Sequence, residues 1–315
     1  GRLSVGLDWE RELILPAGLA LEAFAQARGD LFVIADSDDP EQDDFVARFA
    51  PLAGVQARYP LIAAGGAGMT HVVEPIAQAI VAPYGLNDED IPNEDSLITE
   101  FDETSLFERD HFTGLDRAEE GPRFNLGLRY ELLSDTGVAF DATAGRVLRL
   151  GDAEEFSTGS GLFEAQSDWV GAWSARYDPY VTVTHRIRLG SEDLDVTRNE
   201  AWIGLNAGPA RLSVQYAFFD SDPVAEALRD REELFARTRI GLSEEWSVNG
   251  FLRRDLELSE FVALGAGVRF ANECCSVTAF LRRDFTDREN VPASTSFGVE
   301  VELFTLGAGG STFGG

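Results

Sequence analysis

The stretch RLSVGLDWE, residues 2–10, alternates polar and apolar side chains without a break. Because successive side chains of a β-strand point to opposite faces, its apolar residues would share one face. Those residues are Leu3, Val5, Leu7 and Trp9. The same period of two returns along nearly the whole chain, as in FNLGLRY at 124–130 and SFGVEVEL at 296–303. We count roughly fifteen such segments of about 9 to 12 residues, the length that a tilted membrane strand needs.

The connections between these segments alternate in length. Short turns take every second position, at residues 15–18, 64–66, 134–137, 178–179 and 243–245. Longer acidic loops lie between them, at residues 36–44, 85–121, 151–167, 190–199, 220–233 and 284–294. Outer-membrane barrels show this asymmetry, because their periplasmic turns are tight and their outer loops are long. The sequence therefore predicts an all-β fold, an antiparallel transmembrane outer-membrane β-barrel of about 15 strands, with residues 1–315 as one domain.

The composition is that of a folded chain, and it excludes two classes of protein. Hydrophobic residues make up 44% of the sequence, too many for a disordered chain. No run approaches the roughly 20 apolar residues of a membrane helix, so a chain that crosses a bilayer must do so as a closed barrel. The formal net charge is -29, which leaves no excess of cations for nucleic-acid phosphates. We therefore exclude nucleic acid as a partner.

A soluble β-sandwich, β-helix or propeller is the alternative fold, because its strands would also alternate apolar and polar residues. On strand after strand, however, the polar positions carry arginines and acids. That face would meet water, and the apolar face would need another solvent. All 26 basic residues are arginine. Those expected on the polar face are Arg129, Arg149, Arg176, Arg186, Arg188, Arg237, Arg239, Arg253, Arg269 and Arg282.

Residues 74–117 carry a pattern that a generic channel loop would not have. The segment reads EPIAQ at 74–78, PNEDS at 92–96, FD at 101–102, LF at 106–107 and FTGLDR at 112–117. In this order and spacing it resembles the LptD family. The adjacent pair Cys274 and Cys275 also stands at a similar distance from the C-terminus as in that family. The resemblance implies the C-terminal part of a larger barrel domain, without its first strands and without an N-terminal periplasmic domain.

The residues that carry the pattern within the loop are Pro92, Asn93, Asp95, Ser96, Phe101, Asp102, Phe107, Gly114, Asp116 and Arg117. A loop of about 36 residues is too long for a simple connector and tends to fold on itself. Its apolar residues, among them Ile91 and Phe112, indicate that it packs. We expect the outer loop 86–121 to fold inward as a partial plug or wall of the lumen. A cap on the outer surface with the same contacts is the alternative.

Cys274 and Cys275 are the two cysteines of the chain. Adjacent cysteines rarely bridge to each other because the small ring is strained, so separate partners are expected in an oxidising compartment. By the resemblance, those partners would be cysteines of the N-terminal periplasmic domain. Reduced thiols of no consequence are the alternative.

The resemblance implies a translocon component of the Gram-negative outer membrane that inserts lipopolysaccharide into the outer leaflet, with a periplasmic C-terminus. The implied partners are lipopolysaccharide, a lipoprotein plug resembling LptE and a periplasmic bridge protein resembling LptA. The last strand would line a lateral gate through Phe297, Val299, Val301 and Leu303. With its partner edge missing, this part of the barrel should not close alone. The polar-face arginines could then meet anionic groups of the glycolipid or plug, or could line a hydrated lumen balanced by acids.

Two other functions remain open. A general porin or substrate-specific channel would form a self-contained set of strands and would have no use for the cysteine pair. An outer-membrane enzyme such as a phospholipase would need a serine and a histidine on one strand face, and we find no convincing pair. His71, His111 and His185 are too scattered for a metal or catalytic cluster. No phosphate-binding loop or nucleophile motif is present. We therefore expect no enzymatic activity, no cofactor and no metal.

Overall fold

The structure, a computed structural model, describes residues 1–34, 45–66, 68–97, 99–151, 155–221, 230–286 and 292–304. Within these ranges the chain forms β-strands and two short 3-10 turns, Pro16–Gly18 and Thr158–Ser160. The strands are β1 (Arg2–Ile14), β2 (Ala20–Val33), β3 (Phe45–Arg58), β4 (Leu61–Ala64), β5 (Met69–Val81), β6 (Arg123–Ser134), β7 (Val138–Arg149), β8 (Trp169–Tyr177), β9 (Val181–Leu189), β10 (Val196–Ala207), β11 (Ala210–Phe219), β12 (Arg231–Gly241), β13 (Trp246–Asp255), β14 (Glu260–Ala271), β15 (Cys275–Asp284) and β16 (Ser294–Leu303). No helix in the described ranges is long and apolar enough to cross a membrane.

The strands form one sheet in which hydrogen-bonded neighbours follow chain order from β1 to β16. The exception is β4, which continues β3: both pair antiparallel with β5, and Tyr59 and Pro60 separate them. Pro60 has no N–H to donate to the ladder, so the strand is interrupted there. With β3 and β4 counted together, the described strands agree with the roughly fifteen segments in the sequence. The predicted all-β antiparallel fold is confirmed.

The chain divides into two compact units. Unit 1 comprises residues 1–174, 185–199 and 220–229, and unit 2 comprises residues 175–184, 200–219 and 230–315. In unit 1 the register runs unbroken through β1, β2, β3, β5, β6 and β7. In unit 2 it runs from β11 to β16, with one irregularity at Arg253 and Arg254. Each unit therefore has two well-defined sheet faces.

In unit 1, the face that carries the apolar residues is exposed. Leu7 is 75% exposed and Phe49 is 65% exposed. The opposite face carries Arg48, Gln78 and Asn125, which are buried. A soluble sandwich would show the reverse, with its apolar face under a second layer. An exposed apolar face on long strands requires a nonpolar environment, which a lipid bilayer supplies.

Unit 2 has the same two faces. On one face the apolar side chains of β15 and β16 are exposed, with Leu281 at 56% and Phe297 at 86%. On the other face charged residues pair across the strands, as Arg253 does with Glu233 at 2.8 Å. We call these two surfaces the apolar face and the polar face of each unit.

The strand connections are less regular than the sequence predicts. The connections β5–β6 and β7–β8 are long, as expected. However, β13 and β14 are joined by four residues, 256–259, at the end of unit 2 that also carries the β15–β16 connection. The predicted alternation of short and long connections is therefore not kept at this position. Of the predicted loops, 36–44 lies outside the described residues, as do residues 152–154, 222–229 and 287–291 of three others.

Candidate functional site

The long loop, residues 82–122 between β5 and β6, lies against the polar face of unit 1. Its contacts reach strands that are distant in sequence. Arg2 of β1 donates to the Asp95 carboxylate at 2.8 Å, and Arg109 of the loop donates to Glu22 of β2 at 2.8 Å. The loop is therefore docked along several strands and not held by its two ends alone.

An ion pair of the sheet holds one part of the long loop. Asp30 accepts two hydrogen bonds from Arg48, at 2.9 and 2.7 Å, and both side chains are buried. Arg48 also donates to two loop carbonyls, at 2.7 Å to that of Asp116 and more closely to that of Leu115. Hydrogen bonds from a charged donor are shorter and stronger than those between neutral groups. The strands β2 and β3 thus fix the position of loop backbone.

Glu119 is the acid at the centre of a second buried cluster. It accepts a hydrogen bond from Arg149, and its carboxylate lies 3.3 Å from Arg123 and 2.6 Å from Nδ1 of His111. Burial disfavours the charged carboxylate, but Arg123, His111 and Arg149 outweigh that effect and hold the pKa of Glu119 well below its usual range. A single loop carboxylate therefore compensates two buried guanidinium groups, one from β6 and one from β7.

Two aspartates clamp the two halves of the long loop to each other. Asp116 accepts from the backbone N–H groups of Glu94 and Asp95, at 2.8 and 3.1 Å. In return, Asp95 accepts from those of Leu115 and Asp116, at 3.1 and 2.9 Å. Arg2 donates to both carboxylates. Burial opposes ionisation, but the hydrogen bonds from Arg2 and the backbone hold the pKa of Asp95 well below its usual range.

The middle of the long loop packs on the sheet through an apolar cluster. It comprises Phe101, Leu106, Phe112, Val147, Phe156, Leu162 and Val170, with Phe107 packed against it. Gly127 of β6 and Gly145 of β7 are paired across the two strands, beside this cluster. A Cβ atom at Gly127 would lie 2.8 Å from Phe107, and one at Gly145 would lie 2.5 Å from Leu106. The glycine pair therefore leaves the space that these two loop side chains occupy.

The loop residues of the sequence pattern lie in three settings. Those at the aspartate clamp are Asp95, Ser96, Gly114, Asp116 and Arg117. Those in or against the apolar cluster are Phe101 and Phe107. Those that accept backbone hydrogen bonds in local turns are Asn93 and Asp102, and Pro92 is exposed beside the first of them. At Gly114 an added Cβ would lie 2.0 Å from the Asp95 carboxylate, so the close approach of the two halves requires glycine.

The sequence pattern misses the buried charges that anchor the loop. Asp30, Arg48, Glu119 and Arg123 are at most 6% exposed and carry the ion pairs, but none belongs to the pattern. Asp30 and Arg48 could have been noticed, because each is a charge at a polar position of a strand rich in small and apolar residues. Glu119 stands in a run of acids that gives no such signal. Among the described residues no group of histidines, cysteines and acids could hold a metal ion.

The predicted polar-face arginines are mostly compensated. In the described part of the chain, eight of the ten lie 3.7 Å or less from a carboxylate: Arg129, Arg149, Arg176, Arg186, Arg188, Arg253, Arg269 and Arg282. Arg186 of β9, for example, lies 3.0 Å from Glu103 of the long loop. This balance favours a hydrated, charge-compensated surface over arginines held free for an anionic substrate.

Cys274 lies in the tight turn between β14 and β15, and Cys275 is the first residue of β15. This turn and the β15–β16 connection are at opposite ends of β15. Asn272 accepts from the backbone N–H groups of Cys274 and Cys275, at 3.0 Å each, and so fixes the turn. Both thiols are free, and that of Cys274 is exposed.

The predicted lateral-gate residues all lie on the apolar face of β16, between 56% and 86% exposed: Phe297, Val299, Val301 and Leu303.

Long antiparallel strands with an exposed apolar face, and a long loop folded onto the charged face, define an outer-membrane β-barrel protein. The family model LptD, described as LPS transport system D, matches residues 1–251. Since the match extends over well more than half of its residues, the chain belongs to the LptD family.

Curated relatives carry the same family name. The LPS-assembly protein LptD of Pasteurella multocida is 25% identical over 272 residues, which are 76% of this chain and 34% of the relative. That of Psychrobacter cryohalolentis is 25% identical over 295 residues, which are 88% of this chain and 28% of the relative. The chain thus spans about a third of the length of the curated relatives it matches.

Solved structures of barrel proteins are similar to this chain at a low level. A double mutant of the Rh. blastica porin gives a TM-score of 0.34 at 12% identity, covering 91% of this chain and 90% of the porin. The siderophore receptor PirA from Acinetobacter baumannii gives 0.40 at 7% identity, covering 95% of this chain and 55% of the receptor. At TM-scores below 0.5, neither likeness distinguishes one function from another.

Proposed function

We propose that the protein is a component of the outer-membrane translocon that assembles lipopolysaccharide and inserts it into the outer leaflet. The observation that carries this proposal is the match of residues 1–251 to the LptD family model. The names of the curated relatives, LPS-assembly proteins, support it. Because the chain spans about a third of those relatives, the activity would belong to the full-length protein.

In this proposal the long loop folds into the lumen and forms a fixed wall of the export path. Its docking on the polar face of unit 1 supports that role, since the buried Glu119 and the Asp95–Asp116 clamp leave it little freedom to swing. Trypsin cleaves after arginine, and the loop carries Arg109 and Arg117. We expect the assembled full-length protein to resist cleavage at both sites. Rapid cleavage there would instead fit a surface cap.

The proposed partners are a lipoprotein plug resembling LptE, seated against the polar face, and a periplasmic bridge protein resembling LptA, which delivers the lipid. The compensated arginines of the polar face suit a hydrated lumen that a plug could fill. The apolar face of β16, through Phe297 and its neighbours, would line the lateral gate by which acyl chains reach the membrane.

We also propose that Cys274 and Cys275 form disulfide bonds with an N-terminal periplasmic domain, which places the C-terminus in the periplasm. Their position at a tight turn, with both thiols free, supports this. Full-length protein with both cysteines replaced by serine should migrate differently from wild type on a non-reducing gel, and identically on a reducing gel. Equal mobility under both conditions would remove this part of the proposal.

The function itself is tested by depleting the full-length protein in its Gram-negative host. We expect newly made lipopolysaccharide to stop reaching the cell surface, as measured by its accessibility to a surface-acting modifying enzyme. A porin or substrate channel would give another result: small-solute uptake would fall while surface lipopolysaccharide stayed normal. That result would overturn the proposal in favour of the channel.

A further inference from the structure

Two arginines of unit 2 lie on the apolar face. The side chains of Arg254 in β13 and Arg283 in β15 stand in register with Leu234 and Leu264, which belong to that face. Both arginines are at strand ends, beside the connections β13–β14 and β15–β16. In a barrel they would therefore sit at one rim of the membrane band, where the lipid tails give way to headgroups.

Each of these arginines is stacked on a phenylalanine. The guanidinium carbon of Arg254 lies 5.4 Å from the centre of the Phe261 ring, and that of Arg283 lies 5.1 Å from the centre of the Phe285 ring. The two rings are 6.2 Å apart. We call these four side chains the arginine–phenylalanine patch. The rings offer an apolar surface to lipid, and the contact between them links the two arginines in one patch.

The charges of the patch are not compensated by acids. In the part of the chain that the structure describes, neither Arg254 nor Arg283 has a carboxylate partner, unlike most arginines of the polar face. The Nε atom of Arg254 is buried without a hydrogen-bond partner there. Arg283 donates to the hydroxyl of Thr295 at 3.0 Å. Two such cations at a membrane rim would be satisfied by an anion at the same depth, and lipid phosphate is the anion found there.

We propose that the arginine–phenylalanine patch binds the phosphate group of an anionic lipid of the outer leaflet. The two guanidinium groups donate to the phosphate oxygens, and Phe261 and Phe285 lie against the upper part of the acyl chains. The patch is on the apolar face of unit 2, so this binding site uses neither the polar face nor the long loop. Its assignment to the outer leaflet rests on the proposed function, which puts the cysteine turn, at the opposite end of β15, in the periplasm.

Unit 1 shows a smaller version of the same arrangement. Arg146 of β7 stands in register with Leu126 on the apolar face, and its guanidinium carbon lies 4.9 Å from the ring of Trp169. However, Arg146 already donates to the carbonyl of Ser167 at 2.7 Å. A single arginine that is partly engaged should bind phosphate more weakly than the pair in unit 2.

The test measures binding of fluorescent diphosphoryl lipid A to the full-length protein in detergent micelles. We expect the double variant Arg254→Gln, Arg283→Gln to bind it about 25-fold more weakly than wild type, because one arginine near a membrane surface contributes a factor of about five. The single variant Arg283→Gln, whose side chain is exposed, should lose about fivefold and serves if the double variant does not fold. Folding is checked by heat-dependent gel mobility.

The matched control is Arg211→Gln, which removes the same charge from the polar face of β11. It should bind the probe as wild type does. Chemically dephosphorylated lipid A should bind wild type as weakly as the double variant, and inorganic phosphate at millimolar concentration should not displace the lipid. Unchanged binding by both the double and the single variant, equal loss in Arg211→Gln, or equal binding of the dephosphorylated lipid would each overturn the proposal.

Discussion

Glu119 of the long loop forms ion pairs with two buried arginines, Arg123 and Arg149. The variant Glu119→Gln keeps the shape of the residue but leaves Arg123 and Arg149 buried without an anion. Removing one partner of a buried ion pair destabilises by about 3–5 kcal/mol. We expect the loop to undock at a correspondingly lower urea concentration, measured by trypsin cleavage after Arg109 and Arg117 in protein that remains folded as a barrel.

The control for this prediction is Glu108→Gln, also in the long loop but exposed. A surface change of this kind should alter loop stability by no more than about 0.5 kcal/mol. If Glu119→Gln resists trypsin as well as Glu108→Gln does, the buried cluster is not what holds the loop.

Asp110, a second acid of the long loop, should make the stability of the docked loop depend on pH in the opposite sense to Glu119. Burial, and then repulsion by Glu119, raise the pKa of Asp110 above its usual value. A raised folded-state pKa means that the ionised carboxylate opposes folding at neutral pH, and this penalty is absent below the unfolded-state pKa of about 3.9. We therefore expect Asp110→Asn, which keeps the hydrogen bond from the Phe112 N–H, to stabilise the docked loop at pH 7.

The measurement for Asp110→Asn is the urea midpoint of loop cleavage at pH 7 and below pH 4, with an acid-stable protease at the lower pH. The gain should disappear at the lower value. Glu119 behaves oppositely, because its pKa is lowered in the folded state. Its ionised carboxylate stabilises the loop fully above the ordinary glutamate pKa, and this stabilisation is lost as the pH falls through the folded-state pKa. A gain from Asp110→Asn that is equal at both pH values would contradict the assignment.

The long loop packs on the paired strands β6 and β7, because Gly127 and Gly145 leave space there for Phe107 and Leu106. The variant Gly127→Val would push against Phe107 and Leu106, and overpacking of this kind costs about 1–3 kcal/mol. We expect faster trypsin cleavage of the loop with an unchanged barrel, seen as normal heat-dependent gel mobility. Gly171→Ala in β8 is the control, since its added Cβ would meet other atoms at ordinary distances of 3.5 Å or more.

Strands were predictable at the level of elements, and the long loop was not. The period of two is enforced by the backbone itself, so residues 2–10 or 124–130 suffice to place a strand and its faces. The loop follows no period. Its conformation depends on the hydrogen bond from Arg48 to the Asp116 carbonyl and on that from Arg149 to Glu119, which join residues 68 and 30 positions apart. Local sequence therefore does not predict these contacts. The break at Pro60 was foreseeable, but the four-residue connection at 256–259 was not identified among the predicted turns and loops.

In each unit the apolar side chains are exposed on one face of the sheet and the charged side chains lie on the other, and this division predicts how substitutions will act. Val299→Arg puts a charge on the exposed apolar face of β16, where a lipid-facing arginine near the membrane midplane costs about 2–4 kcal/mol. Thr278→Arg, on the polar face opposite Glu300, should cost far less. The measurement is urea unfolding of the full-length protein in lipid vesicles. Similar losses for both variants would mean that the two faces meet the same environment.

The docking of the long loop also imposes an order on folding. Arg2 is paired with an aspartate 114 positions later, and Arg48 donates to a carbonyl 68 positions later. Contacts of such long range form slowly, because the intervening chain must be ordered first. While β1, β2 and β3 are paired but the long loop is undocked, the charges of these strands remain in water, and they are buried only when residues 115–119 dock. The first strands of the chain are therefore among the last parts of unit 1 to reach their final surroundings.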